Sequence, residues 1–179
     1  MLIVVTGGAR SGKSRFAVDR ARRAGLGDVV FVATCPRIDG DGELERRIRD
    51  HRAERPPSWV TVEVELDLAA ALGGIDERAT VIVDCLTLWV SNLLVGGHDA
   101  ATIGVTSDDA LRAVASRAGE TLVVTNEVGL GIVPADRLSR EYRDILGRVN
   151  QAWVAAADRA LFLVAGRALA LHEPDDLLR

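Results

Sequence analysis

The feature that most constrains the fold of this chain is the motif at residues 7–14, Gly7-Gly8-Ala9-Arg10-Ser11-Gly12-Lys13-Ser14. It follows the apolar run 2–5 and precedes residues 13–24, which read as a helix. A glycine-rich turn between a buried strand and a helix points several backbone N–H groups at one place, beside the positive end of the helix. The motif matches G-x-x-x-x-G-K-[ST], so it predicts a phosphate-binding P-loop.

Two side chains of this loop are candidates for chemistry on a nucleoside triphosphate. Lys13 can reach the β- and γ-phosphates, and Ser14 can offer its hydroxyl to Mg²⁺. The apolar run 81–83 ends in Asp84, which is the form of a Walker B acid and a second candidate ligand for Mg²⁺. The alternatives are a glycine-rich connecting turn at residues 7–14 and an ordinary strand-end acid at position 84.

The rest of the pattern predicts an α/β fold with a parallel sheet. The runs 2–5, 29–33, 81–83, 122–124 and 161–164 are apolar without polar alternation, as in strands covered on both faces. Residues 59–64 alternate more, as an edge strand or the extension of a strand would. Helices are predicted at 13–24, at 43–54 and from Asp136 to about residue 157, whereas residues 96–106 are predicted to form a flexible loop.

The last predicted helix carries a stripe of large side chains. These recur at spacings of three and four and are expected on its inner face: Leu138, Tyr142, Ile145, Val149, Trp153 and Ala156.

Size and composition place these elements in a single domain over residues 1–179, whose tail, 167–179, stays poorly assigned. The net charge of −4 argues against a nucleic-acid surface. No run of about 18 apolar residues exists, so no stable membrane insertion is expected. The two cysteines, Cys35 and Cys85, lack metal-ligand spacing and are expected to be reduced. With no signal peptide apparent, a cytoplasmic location is expected.

A cluster of arginines surrounds His51 in the segment 46–52. Spacing alone is typical of a charged, exposed helix. The functional alternative is a histidine nucleophile whose neighbouring guanidinium groups hold a nucleoside triphosphate.

Polar residues and glycines follow the apolar run 122–124, in the order Thr125-Asn126-Glu127-Val128-Gly129-Leu130-Gly131-Ile132-Val133-Pro134. In a parallel sheet this position faces the ligand crevice. An ordinary strand-to-helix connection would read the same way, so the pattern alone leaves both interpretations open.

Four blocks together resemble one family, the cobinamide kinase/cobinamide-phosphate guanylyltransferases. The blocks are residues 6–15; residues 125–129 with 131–134; residues 143–145 with 147–151; and the pattern Ile48, His51, Arg55, Pro56 and Trp59. They occur in the order of the family and span nearly the whole chain.

The resemblance implies a RecA-like P-loop NTPase fold and two reactions. In the first, the hydroxyl of the aminopropanol arm of adenosylcobinamide takes a γ-phosphoryl group from ATP or GTP. In the second, GTP guanylylates a histidine, and GMP then passes to cobinamide phosphate to give adenosylcobinamide-GDP. The implied partners are GTP, ATP and a corrinoid, the implied cofactor is Mg²⁺, and the implied assembly is a homotrimer.

The resemblance also assigns residues. It implies catalytic roles for His51, the guanylylated residue, and for Lys13. It implies metal binding by Ser14 and Asp84. The implied nucleotide-binding residues are Gly7, Gly8, Ala9, Arg10, Ser11, Gly12, Lys13, Ser14, Ala33, Thr34, Cys35, Arg52, Glu54, Glu63 and Asp84. Some relatives carry two adjacent histidines at this place, whereas Asp50 precedes His51 here.

Two other functions fit a P-loop without this resemblance. One is a monofunctional kinase of another small molecule, which needs Lys13, Ser14 and Asp84 but not His51. The other is a RecA-like nucleotide-binding regulatory protein. A covalent GMP adduct distinguishes the bifunctional enzyme from both.

Overall fold

The computed structural model describes residues 1–23, 27–35, 46, 49, 52–53 and 55–178. In this part of the chain, strands and helices alternate as expected for an α/β protein. The strands are β1 (Leu2–Gly7), β2 (Val29–Ala33), β3 (Val60–Glu63), β4 (Thr80–Asp84), β5 (Thr121–Val124), β6 (Arg159–Val164) and β7 (Arg167–Leu171). The helices are α1 (Lys13–Arg23), α2 (Leu68–Gly73), α3 (Leu86–Val95), α4 (Ala100–Ala115), α5 (Arg137–Ala155) and a short 3₁₀ helix (Pro174–Leu177).

These strands form one sheet in the order β3-β2-β4-β5-β1-β6-β7. All neighbouring pairs are parallel except β6 and β7, which are antiparallel. The prediction of a parallel sheet is therefore confirmed, and so is the edge position of the more alternating strand β3. The carboxyl ends of the six parallel strands consequently meet at one edge of the sheet, which we call the carboxyl edge.

Each face of the sheet has its own hydrophobic core, because successive side chains of a strand point to opposite faces. Val4, Val83 and Val123 pack with residues of α2, α3, α4 and α5 on one face. Ile3 and Phe31 pack with residues of α1 on the other face. Both faces of the central strands are covered, which explains why their sequences are almost continuously apolar.

The prediction of a flexible loop at residues 96–106 is wrong, because α4 begins at Ala100. The side chain of Asp99 accepts a hydrogen bond of 2.8 Å from the backbone N–H of Thr102 and caps the helix. This bond lowers the pKa of Asp99. Ile103 is fully buried against the core, and burial of this face outweighs the weak helix propensity of the β-branched residues and of Gly104.

Helix α5 begins and packs largely as predicted. Asp136 caps it by accepting a hydrogen bond from the N–H of Ser139 at 2.8 Å. Ile145, Val149 and Trp153 are buried. Leu138 and Ala156 are exposed, so their predicted place on the inner face is wrong. The two ends of this long helix extend past the core that covers its middle.

The tail from residue 167 to residue 178 folds back along the sheet. β7 pairs with β6 through the two-residue turn Ala165-Gly166, whose φ angles of 49° and 73° are typical of a tight hairpin. The N–H of Gly166 donates a hydrogen bond of 3.0 Å to the carbonyl oxygen of Ser11. This hairpin therefore touches the P-loop.

Among the described residues, no helix has both the length and the apolar character needed to cross a membrane.

Candidate functional site

The P-loop, residues 7–14, joins β1 to α1 at the carboxyl edge. Gly8, Ala9 and Arg10 are exposed, Gly7, Ser11 and Lys13 are buried, and Gly12 and Ser14 are half-buried. The Nζ atom of Lys13 donates to the carbonyl oxygen of Gly8 at 2.6 Å and to Ser11 Oγ at 3.4 Å. The ammonium group therefore lies across the loop, where phosphate oxygens approach the N-terminus of α1.

Position 7 accepts only glycine. Its φ of 145° is rarely adopted by residues with a side chain, and a Cβ there would lie 2.3 Å from the carbonyl oxygen of Leu163 in β6. The first residue of the P-loop is thus held against the neighbouring strand. A substitution at Gly7 would move the whole loop away from β6.

Lys13 and Asp84 interact electrostatically across the carboxyl edge. Burial lowers the pKa of Lys13, while the nearby acidic groups Cys85 and Asp84 act in the opposite direction. Asp84 is the last residue of β4 and is half-buried. The structure thus brings together the two predicted catalytic and metal-binding elements, although they lie 71 positions apart, from 13 to 84 in the sequence.

The end of β4 is fixed by Thr34, which follows β2. The Thr34 hydroxyl donates to the carbonyl oxygen of Cys85 at 2.7 Å and accepts from the N–H of Cys85 at 2.8 Å. The side-chain amide of Asn92 in α3 donates to the carbonyl oxygen of Thr34 at 2.9 Å. Thr34 is fully buried. Its hydroxyl positions the backbone next to Asp84, a role that the sequence did not suggest.

Three of the predicted nucleotide-binding residues lie side by side along the carboxyl edge, at the ends of neighbouring strands. Ala33 is in register with Glu63 of β3 on one side and with Asp84 of β4 on the other. β5 lies between β4 and β1. From β3 to β1 there are four strand spacings of about 4.8 Å, so Glu63 and the P-loop are about 19 Å apart along the edge.

Arg52 lies at the β3 end of this edge, and Arg55 lies against β2 and β3. Arg52 and Glu63 form an ion pair with an N–O distance of 3.6 Å, and their side chains are 55% and 38% exposed. The guanidinium group of Arg55 stacks 3.4 Å from the ring centroid of Phe31 and donates to Thr61 Oγ1 at 3.4 Å. Arg46 and Arg49 have helical backbone and are exposed. His51 and Glu54 lie outside the described residues, as does most of the predicted helix 43–54.

The two cysteines differ in their surroundings. Cys35 is half-buried at the end of β2. Cys85 is buried, which raises the pKa of its thiol to about 12. Neither forms a disulfide bond in the structure, in agreement with the expected reduced state. Among the described residues, no group of three or more histidine, cysteine or acidic side chains could hold a metal ion by itself.

A polar network beside the P-loop was not assigned from the sequence. Thr125 Oγ1 donates to Asn150 Oδ1 at 2.7 Å, and the side-chain amide of Asn150 donates to the carbonyl oxygen of Asn126 at 3.0 Å. The N–H of Asn126 donates to Thr87 Oγ1 at 2.7 Å, and the hydroxyl of Tyr142 donates to the carbonyl oxygen of Thr87 at 3.0 Å. The sequence signal for this network was the run of polar residues that directly follows the apolar strand β5.

Comparison with known proteins agrees with this arrangement. Residues 3–171 match the family described as cobinamide kinase / cobinamide phosphate guanyltransferase. The chain belongs to this family. It is therefore a bifunctional kinase and guanylyltransferase of cobalamin biosynthesis, and the resemblance noted in its motifs is confirmed.

Individual relatives match over nearly their full length. The bifunctional adenosylcobalamin biosynthesis protein CobP of Pseudomonas aeruginosa is 43% identical over 164 residues, which cover 91% of this chain and 92% of the relative. The bifunctional adenosylcobalamin biosynthesis proteins CobU of Salmonella typhimurium and Escherichia coli are each 40% identical over 182 residues, covering 93% of this chain and 97% of the relative.

The fold is also shared with more distant proteins. The flagellar accessory protein FlaH of Methanocaldococcus jannaschii aligns with a TM-score of 0.54 and 12% identity, over 95% of this chain and 77% of that one. This likeness concerns the fold alone, and it agrees with the predicted RecA-like P-loop architecture.

Proposed function

We propose that the chain phosphorylates adenosylcobinamide with ATP or GTP and then transfers GMP from GTP to the product. The observation that carries the proposal is the complete P-loop facing Asp84 within a family match that spans residues 3–171. The site residues named from the sequence remain part of this proposal.

In the kinase reaction, the P-loop would hold the β- and γ-phosphates. Its backbone N–H groups and the N-terminus of α1 would bind the phosphate oxygens, and Lys13 would offset the charge that develops during transfer. The substrate hydroxyl would attack the γ-phosphorus, and the nucleoside diphosphate would leave. Transfer of this kind depends mainly on positioning and electrostatics, which a rigid loop supplies.

A divalent cation fits the residues at this place. Mg²⁺ needs only one or two protein oxygen ligands when substrate phosphates supply others. The half-buried Ser14 hydroxyl and Asp84 carboxylate meet this need, since both lie at the carboxyl edge beside Lys13. When bound, Mg²⁺ would neutralise charge on the phosphates.

The guanylylation reaction would take place towards the β3 end of the carboxyl edge. A neutral imidazole nitrogen of His51 would attack the α-phosphorus of GTP, and pyrophosphate would leave. Ala33, Thr34, Cys35, Arg52, Glu54 and Glu63 would form the nucleotide site around it. Arg49, Arg52 or Arg55 would offset the negative charge of the phosphates. GMP would then pass from the histidine to cobinamide phosphate.

The finer features of the family complete the proposal. We infer a homotrimer in the cytoplasm that binds no nucleic acid and is not inserted into a membrane. Sedimentation analysis of the purified protein tests the assembly, and a monomer at micromolar concentration would contradict it.

The decisive experiment tests for the covalent intermediate. The protein is incubated with α-labelled GTP and Mg²⁺, denatured and mapped by peptide. Label on the peptide that contains His51 supports the bifunctional reaction. Phosphorylation of cobinamide without any label would support the monofunctional kinase instead.

Asp84→Asn tests the metal site. The change keeps the size of the side chain and removes its charge, so we expect a higher Mg²⁺ concentration for half-maximal kinase activity and slower turnover. Circular dichroism checks that the fold is retained. Unchanged Mg²⁺ titration curves would make Asp84 an ordinary strand-end acid.

A further inference from the structure

The loop after β5 brings an acidic side chain to the P-loop. β5 lies between β4, which ends in Asp84, and β1, which enters the P-loop. The backbone N–H of Glu127 donates to the carbonyl oxygen of Gly7 at 3.1 Å. Glu127 therefore stands at the carboxyl edge between the two elements that would hold the triphosphate.

The backbone that leads into Glu127 is firmly held. The N–H of Thr125 donates to the carbonyl oxygen of Val5 at 3.0 Å. The Asn126 backbone is bound by Thr87 on its N–H and by Asn150 on its carbonyl oxygen. Asn150 and Thr125 are buried and bond to each other, whereas the bonds to the Asn126 backbone are partly buried. Buried networks of this kind pre-organise a site.

The carboxylate itself is half-buried and partly engaged. One oxygen, Oε1, accepts the N–H of Gly129. A Cβ at position 129 would lie 2.9 Å from this oxygen, so glycine permits the close approach. No other hydrogen bond or ion pair of the carboxylate occurs within the described part of the chain. The second oxygen is thus available to an incoming hydroxyl group.

We propose that Glu127 is the general base of the kinase reaction. Its carboxylate would accept the proton of the substrate hydroxyl as that oxygen forms its bond to the γ-phosphorus. The bond between the γ-phosphorus and the bridging oxygen breaks, and the nucleoside diphosphate leaves with the electron pair. The inference rests on the proposed kinase activity, and it gives phosphorylation a base that the guanylylation of a histidine does not need.

The test measures both reactions in the same variants. Glu127→Gln keeps the shape of the side chain but cannot accept the proton. General-base catalysis contributes about 10²–10⁴-fold, and kinases depend strongly on electrostatics, so we expect kcat for phosphorylation to fall about a hundredfold or more. KM for ATP should change little. GMP transfer to supplied cobinamide phosphate should remain at the parent rate.

Two further variants locate the effect. Gly129→Ala keeps the carboxylate of Glu127 but displaces it, so it should lower kcat for phosphorylation. Glu127→Asp keeps a carboxylate on a shorter side chain, so its kcat should lie between those of Glu127→Gln and the parent. Glu77→Gln is the matched control, because Glu77 is exposed near the amino end of β4, at the opposite edge of the sheet. It should leave both rates unchanged.

Several outcomes would overturn the proposal. A Glu127→Gln protein with parental kcat excludes a base at this position. Equal loss of both reactions, or a rise in KM for ATP without a change in kcat, would give Glu127 a structural or binding role. A parent protein that transfers no γ-phosphoryl group to cobinamide would instead contradict the proposed kinase activity. Failure of the general-base proposal and failure of the proposed kinase activity are therefore distinguishable.

Discussion

The two ends of the carboxyl edge are built differently. At the β1 end, Lys13 is 6% exposed, and the P-loop is fixed by a bond from Glu127 after β5, by the pairing of Gly7 with β6 and by a bond from the hairpin turn. At the β3 end, Arg52 and Glu63 form a loose, exposed ion pair. About 19 Å separates them. If the two reactions are divided as proposed, phosphoryl transfer would use a pre-organised pocket, whereas guanylylation would use charged groups at the rim of the same sheet.

The largest effect that can test this separation is expected from His51→Ala. Removal of the imidazole should abolish the GMP adduct and guanylyl transfer, while phosphorylation of cobinamide should persist because it needs the P-loop and the metal. Labelling with α-labelled GTP and a separate kinase assay measure the two reactions. The adduct of the parent should be acid-labile and alkali-stable, as a phosphoramidate is.

Two results would contradict the prediction for His51→Ala. If His51→Ala still accumulates α-label, the nucleophile is another residue. If the parent phosphorylates cobinamide but never takes label, the chain is a kinase only. Asp50, which stands where some relatives have a second histidine, would then be the first residue to replace with histidine.

A smaller effect is expected at the β1 end from Lys13→Ala. A hydrogen bond from a charged group contributes about 1.5–3 kcal/mol, and about 1.4 kcal/mol corresponds to tenfold in rate. We therefore expect phosphoryl transfer to fall about tenfold to a hundredfold or more. If Lys13→Ala binds nucleotide and turns over as the parent does, the P-loop has no role in the reaction. Arg15→Ala, an exposed change on the same helix, serves as the control.

The ion pair at the β3 end should matter for guanylylation but little for stability. Exposed pairs contribute about 0–1 kcal/mol, so Glu63→Gln should change the free energy of unfolding by less than about 1 kcal/mol. The rate of GMP-adduct formation should fall several-fold if Glu63 contacts the nucleotide. Asp19→Asn breaks comparable exposed pairs on α1 and should leave adduct formation unchanged. An equal effect of both variants would contradict a nucleotide contact.

The smallest effect concerns the two thiols. Cys35 is half-buried, whereas burial raises the pKa of Cys85 to about 12 and keeps its thiol protonated at neutral pH. A maleimide should therefore label Cys35 before Cys85 in the native protein. GTP should slow labelling of Cys35 if this strand end contacts the nucleotide. Labelling of both thiols at one rate, or no protection by GTP, would contradict these expectations; Cys35→Ser identifies the labelled residue.

Much of the fold was predictable because its signals are local. Apolar runs marked the buried strands, and the P-loop motif fixed the first strand, turn and helix. The helix over Ala100–Ala115 was missed because Gly96 and Gly97 suggested a loop, while the cap at Asp99 and the burial of Ile103 decided the outcome. Tertiary packing of this kind is not visible in propensity alone.

The candidate site was predictable in part. The loop and Asp84 were found because each follows an apolar strand, and the structure brings Lys13 and Asp84 into electrostatic contact. The positioning role of Thr34 was missed, since its two bonds to Cys85 join residues that are distant in sequence. The same holds for Asn150, which reaches the loop after β5 from the middle of α5. Such pairings depend on topology and leave no local pattern.

The hairpin between β6 and β7 has a consequence for how the protein is made. The P-loop is translated before its partners, because β1 pairs with β5 and β6 and Ser11 receives its bond from Gly166. A nascent chain that ends before these partners has the motif without the contacts that shape it. Ribosome-bound chains should therefore acquire affinity for nucleotide only after residue 166 has emerged. An unfinished enzyme would then not bind ATP or GTP.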